Sequence, residues 1–323
     1  MRPLMLKGHD RSITKVKYNR EGDLLFTAAK SSEPCVWFSV DGERLGSFQG
    51  HKGVVWSLDV SWDTASLITG SGDNSCILWD CATGKKLREF KSPTTVRTVG
   101  FSFSGNLFFN TTSKQMRYDS SLNVYDTRME DDGTPAVARE LKGTAYASVW
   151  SRLDHSILIG DDSGMICEYD VTATSHEPAN FVKENSQRIN DLQMSADGCV
   201  VVAASKDQTA KLFNARTLQP LKTYKSERPV NSAAISPIKD HILLGGGEDA
   251  MQVTRTFTRA GQFEAKLYHM IFEDEFARIK GHFGPINTLA FHPDGCSFAS
   301  GAEDGYIRLQ CFDPEYFDFE FDH

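Results

Sequence analysis

The sequence predicts an all-β, seven-bladed propeller whose ring is closed by its own N-terminal strand. Three observations predict it. One short pattern returns seven times in phase along the 323 residues. Each return reads as strands separated by tight polar turns. The segment before the first return, 1–7, has no repeat of its own and is left to join the last one.

The elements follow in a fixed order. Gly8-His9, Gly50-His51 and Gly281-His282 each precede an alternating stretch, as in Val54-Val55-Trp56-Ser57-Leu58-Asp59-Val60 or Pro285-Ile286-Asn287-Thr288-Leu289-Ala290-Phe291. Alternation at period two marks a strand with one face buried. A polar turn comes next: Glu21-Gly22-Asp23, Ser104-Gly105, Asp197-Gly198 or Asp294-Gly295. Glycine there supplies the positive φ that hairpins need. A second strand ends in small residues, as in Leu67-Ile68-Thr69-Gly70-Ser71-Gly72. An Asp then stands six residues before an aromatic: Asp73 to Trp79, Asp207 to Phe213.

The aromatic position falls at Trp37, Trp79, Tyr125, Tyr169 and Phe213, and counting on places it at Arg255 and Gln310. The steps are 42, 46, 44, 44, 42 and 55 residues. They bracket the WD-repeat period of roughly 40–45 residues, with one long insertion. Expected blades are 8–49, 50–91, 92–142, 143–184, 185–225, 226–280 and 281–313 plus 1–7, with a tail at 314–323. One blade cannot cover both its faces, whereas a ring of blades covers every face and leaves short edges. Leu4, Met5 and Leu6 are expected beside Ile307 to Phe312 as the outermost strand of the last blade.

The recurring His, Thr or Ser, Asp and Trp look like a catalytic set. Resemblance to WD repeats implies instead a hydrogen-bonded chain inside each blade: His51, Thr69, Asp73 and Trp79 in the second, His282, Ser300 and Asp304 in the seventh. Buried polar groups must be paired or each costs about 1–3 kcal/mol. The set is also scattered over degenerate copies. Blade one has no turn Asp, and blades three to six have no Gly-His. A scaffold without enzymatic activity is expected.

No cofactor and no metal are expected either. Gly245-Gly246-Gly247-Glu248-Asp249 lacks the Gly-Lys-Ser/Thr of a phosphate loop and reads as a tight turn. The nine histidines show no metal-ligand spacing. Net charge is −8, which argues against a direct nucleic-acid site. Seven cysteines without a Cys-x-x-Cys pair fit reduced thiols and a cytoplasmic setting. The longest apolar run, Cys199 to Ala204, is far below the ~20 residues of a membrane helix.

Three stretches exceed the repeat. Residues 111–135 read as lengthened turns in blade three and 172–185 as a polar surface loop. The longest runs from Thr256 to Lys280. Within it Phe263, Ala265, Leu267, His269 and Ile271 alternate as a strand would, and Glu273-Asp274-Glu275-Phe276 reads as a solvated acidic turn, with a docking loop as the alternative. The tail alternates aromatics with acids, from Tyr316 to Asp322. It reads either as a frayed end with its rings against the propeller or as a partner contact.

Several stretches are more specific than the generic repeat. They include Leu6-Lys7-Gly8-His9-Asp10-Arg11-Ser12-Ile13-Thr14, Trp62-Asp63-Thr64, Leu78-Trp79-Asp80-Cys81, Leu243-Leu244-Gly245-Gly246-Gly247, Lys280-Gly281-His282-Phe283-Gly284-Pro285 and Phe312-Asp313-Pro314. In these the chain resembles the family of subunit i of eukaryotic translation initiation factor three. The resemblance implies a subunit that docks subunits b and g of that factor and, through them, the small ribosomal subunit, supporting mRNA recruitment and scanning. Candidate contacts at blades five and six are Lys206, Asp207, Glu227, Arg228 and Asn231. The alternative is a WD-repeat adaptor in receptor-kinase signalling, which co-sedimentation with the small ribosomal subunit separates from the first reading.

Overall fold

The computed structural model describes residues 3–115, 117–129, 133–151, 153–173, 175–247 and 263–319. Among them, 28 strands form seven four-stranded antiparallel sheets. Blade two shows the plan: Val55–Val60 innermost, then Ser66–Ser71, Ser75–Asp80 and Lys86–Lys91 outermost. The innermost strands of the others are Ile13–Tyr18, Val96–Phe101, Ala145–Ser151, Ile189–Met194, Val230–Ile235 and Ile286–Phe291. Each lies against the innermost strand on either side, and the last lies against the first, so the ring closes.

The seventh sheet takes three strands from the end of the chain and one from its beginning. Leu4–Leu6 pairs with Ile307–Cys311 in the register Leu4 to Leu309, Met5 to Arg308 and Leu6 to Ile307. Of the three, Leu6 is buried and packs with Ile13, Ile307 and Leu309.

The hairpin after the innermost strand places one residue in the left-handed region in six of the seven blades; that of blade six, 236–240, has none. Gly22, Gly105, Gly198 and Gly295 take φ between 69° and 81° in blades one, three, five and seven. Thr64 and Leu153 take the same place in blades two and four at 61° and 50°, a conformation that side chains with Cβ adopt at some cost.

Apolar residues gather in seven clusters, one at each junction between neighbouring blades. Phe26, Phe48, Val55, Leu58, Leu67, Ile77 and Trp79, for example, join blades one and two. The closeness of packing explains the small residues that end each second strand. A Cβ on Gly70, Gly160, Gly245 or Gly301 would stand 2.5–2.7 Å from Val96, Ile189, Ile286 or Ile13, the first buried residue of the next blade. Ala28 and Ala204 fill the equivalent places in blades one and five. Blade three has the bulkier Thr111 there, and blade four answers with the smaller Ala145. Volume is thus conserved across the junction, as close packing requires. Gly160→Val should therefore destabilise by about 1–3 kcal/mol. Adding Ile189→Ala should recover part of that loss in a chemical-denaturation double-mutant cycle. Strict additivity of the two substitutions would show that they do not share a contact.

The structure corrects the reading of blade six. Its third strand is Ala265–His269, and Tyr268 stands opposite Ile242 as Trp79 stands opposite Leu67. Tyr268, not Arg255, holds the aromatic position. Arg255 lies outside the described residues, as do Glu248, Asp249 and Thr256. The insertion precedes the third strand, and a count at constant period from Phe213 lands inside it. Glu273 occupies a turn at φ 65°, but Glu275 opens the fourth strand, Glu275–Ile279, so the acidic run is only half a turn. Gly245 and Gly246 end a strand, His241–Gly246, paired with Ser232 and Val230, rather than form a turn; they are glycines because Pro229 and the next blade leave no room for Cβ. Within 172–185, Asn180–Lys183 is the outermost strand of blade four, paired with Met165–Asp170. The first part of the tail is not frayed. Pro314–Asp318 is a short helix, and Tyr316 stacks on Phe312 at 3.9 Å while its hydroxyl meets His241 Nδ1 at 2.8 Å.

Candidate functional site

The recurring polar residues meet inside the blades. In blade two the Trp79 indole N–H donates to Thr69 Oγ1 at 2.8 Å. Thr69 Oγ1 lies 2.7 Å from His51 Nε2, and His51 Nδ1 lies 3.0 Å from Asp73 Oδ2. A neutral imidazole satisfies both contacts if Thr69 donates to Nε2 and Nδ1–H donates to the carboxylate. Burial favours that neutral form and lowers the His51 pKa, with Asp73 opposing. Asp73 also accepts the backbone N–H groups of Lys52 and Ser75 at 2.8 and 3.0 Å. Against burial, which raises it, the Ser75 hydroxyl, the Lys52 N–H and His51 hold its carboxyl below its ordinary range. Every polar atom of the set thus faces inward.

Blade seven repeats the arrangement with a different fourth member. His282 Nε2 meets Ser300 Oγ at 2.8 Å, and Nδ1 meets Asp304 Oδ2 at 3.1 Å. Gln310 stands where blade two has its Trp. Buried Arg308, which the repeat pattern does not single out, donates to Asp304 at 3.1 Å. In blade one, His9 bonds Thr27 at 2.8 Å without an Asp, and burial brings its pKa down to about 4.

Nucleophiles are equally subdued. Burial pushes the Cys35 thiol up to about 11, and those of Cys81 and Cys167 up to about 12. Among the described residues no group of three or more His, Cys, Asp and Glu side chains is placed to hold a metal. None of the described helices is long and apolar enough to cross a membrane.

The five candidate contact residues lie on the face that carries the turns between second and third strands. Their availability differs. Asp207 accepts the backbone N–H groups of Ser186 and Thr209 at 2.9 and 3.1 Å, and the Thr209 hydroxyl at 2.5 Å. It does for blade five what Asp73 does for blade two. Asn231 donates to Ile286 O at 3.0 Å. Glu227 is exposed, and with Arg228, Glu264, Lys266 and Arg278 it lines a small cleft at the edge of blade six. Lys206 is half-buried, with its backbone N–H bonded to Arg188 O.

Two further features were not singled out from the sequence. Every innermost strand carries a bulge at the same place, after Ile13, Val55, Val96, Ala145, Ile189, Val230 and Ile286. The bulged residues are Thr14, Trp56, Arg97, Tyr146, Asn190, Asn231 and Asn287, and all but Asn231 line the central channel. Thr14, Asn190, Asn231 and Asn287 each donate to a carbonyl of the next blade at 2.6–3.0 Å. Trp56, Arg97 and Tyr146 stack instead: the Arg97 guanidinium lies 4.5 Å from the Trp56 ring centroid and 5.3 Å from that of Tyr146.

The channel has a volume of about 480 Å³. Charged groups converge there, but as ion pairs. Lys15 of blade one crosses to Asp191 of blade five at 2.9 Å, and Lys17 meets Asp59 at 3.1 Å. Asp191 accepts in addition from Ser232 Oγ and Gln193 Nε2.

Comparison with known proteins agrees with this architecture over the whole chain. The family model EIF3I matches residues 1–322. Proteins called eukaryotic translation initiation factor 3 subunit I are similar throughout. Those of Homo sapiens and Bombyx mori are each 53% identical, over 326 and 328 residues, with 99–100% of both chains covered. That of Danio rerio is 52% identical over 324 residues, covering 99% of each chain. The chain belongs to the family of eukaryotic translation initiation factor 3 subunit I.

Proposed function

We propose that the chain is a non-catalytic scaffold subunit of initiation factor three, acting in the cytoplasm. It docks the C-terminal segment of subunit b and subunit g, and through them supports mRNA recruitment and scanning on the small ribosomal subunit. Full-length membership of the family carries this reading. The propeller suits the role physically. Its conspicuous histidines and carboxylates are tied into the blades, and a rigid ring offers loops whose geometry does not need to be ordered on binding.

The proposed contact for subunit b is the surface between blades five and six, built from Lys206, Asp207, Glu227, Arg228 and Asn231. Lys206 and Glu227 are the two to reverse. Asp207 holds its own turn together, so its replacement would confuse binding with folding. Lys206→Glu combined with Glu227→Lys should abolish pull-down of the subunit b segment, with the thermal melt unchanged and net charge preserved. Undiminished pull-down would refute this surface. The wider role is tested by co-sedimentation with the small ribosomal subunit in the presence of the complete factor.

A further inference from the structure

Arg97 and Arg188 are brought together on one ring. The Tyr146 centroid lies 5.3 Å from the Arg97 guanidinium and 4.5 Å from that of Arg188. Among the described residues each arginine spends only its Nε–H internally, on Ser113 Oγ at 3.0 Å and Asn190 Oδ1 at 2.8 Å. Neither guanidinium has an ion-pair partner among the described residues. Burial and the neighbouring Arg188 charge both lower the Arg97 pKa, as expected of a cation without a counter-ion. Elsewhere at the channel mouth the bulged side chains are tied to the next blade. Here two pairs of terminal N–H groups remain, held by flanking rings in a fixed plane.

We propose that the Trp56–Arg97–Tyr146–Arg188 cluster receives a carboxylate from an acidic peptide segment of a partner protein. Two planar guanidiniums present parallel N–H forks that match a carboxylate. Stacking on aromatic rings orients them in advance, which lowers the entropy lost on binding. A single carboxylate fits the surroundings better than a nucleic-acid strand. The aromatic faces are already covered by guanidiniums, so a base has little bare ring to stack on. The site faces the axis beside blades two to five, and the argument for it does not rest on the proposed contact of subunit b.

The test uses the full-length chain and fluorescence anisotropy. The probes are a labelled short peptide rich in Glu and Asp, its amide counterpart in Gln and Asn, and a short oligouridine RNA, with inorganic phosphate as competitor. The acidic peptide should bind saturably, at least about tenfold more tightly than the amide peptide, the size expected of a few charge-assisted hydrogen bonds. Arg97→Gln with Arg188→Gln should remove that preference. Should this variant fail to fold, Arg97→Lys with Arg188→Lys keeps the charge and loses the fork, and should still weaken binding severalfold. Hydrogen exchange on the wild-type chain should show peptide-dependent protection at 97–98, 146–148 and 188–190. Equal affinity for acidic and amide peptides, RNA or phosphate displacing the peptide, unaltered binding by the arginine variants, or protection confined to other blades would each overturn the proposal.

Discussion

Asp304→Ala should be the most damaging single substitution in the chain. Its carboxylate lies against His282 Nδ1 and accepts from Arg308 and from the backbone N–H groups of Phe283 and Tyr306. Arg308 is 3% exposed and Asp304 supplies its only acidic partner among the described ion pairs. Removing one member of a buried pair leaves the other charge uncompensated and costs about 3–5 kcal/mol. Two orphaned N–H groups add to that. The measurement is urea denaturation of the variant beside Asp304→Asn, which keeps an acceptor and should lose less. Asp73→Ala in blade two removes a similar acceptor but strands no arginine, so its loss should be smaller than that of Asp304→Ala. Equal losses at the two sites would mean that Arg308 does not depend on its carboxylate.

Deletion of residues 1–7 should rank second. It takes away Leu6, and removal of a buried leucine side chain alone costs about 2–5 kcal/mol. It also strips Ile307–Cys311 of its outer neighbour, exposing an unpaired edge that invites association between copies. The truncated chain should melt several degrees lower and elute partly as oligomers in size-exclusion chromatography. Met5→Ser is the control, because Met5 is 59% exposed and only its backbone takes part in the sheet. A melting temperature unchanged by the deletion would sink the idea that this strand locks the ring.

The fold was legible because a blade is a unit of nearly constant length, so strands, turns and aromatic positions recur in phase. Period alone does not locate an insertion inside a unit. Arg255 satisfies the count from Phe213, yet Tyr268 fills the space, because the extra residues enter before the third strand rather than between blades. The internal network was legible for a related reason: its members lie within one blade, Thr69 and Asp73 standing 18 and 22 residues after His51. The channel mouth was not. A bulge is a mismatch of register between two strands, and Trp56, Arg97, Tyr146 and Arg188 meet only when four blades stand in order around the axis. Arg308 was missed because it reaches Asp304 from the register position that Ile77 holds in blade two, where the repeat pattern marks only an apolar residue. Asp207 shows the opposite problem. Its type and spacing suit both a turn brace and a surface contact, and only the N–H groups of Ser186 and Thr209 show how much of it is already engaged.

The closing strand also sets a waiting time. Leu4, Met5 and Leu6 are synthesised about 300 residues before their partners at 307–309. At about 5–20 residues per second, roughly 15–60 s separate the two. For that interval six blades can assemble in sequence, each on the one before, while the apolar leader has nowhere to dock. The ring shuts only once 307–309 have been made, and until then the nascent chain carries an undocked apolar segment that a chaperone or a premature partner can reach.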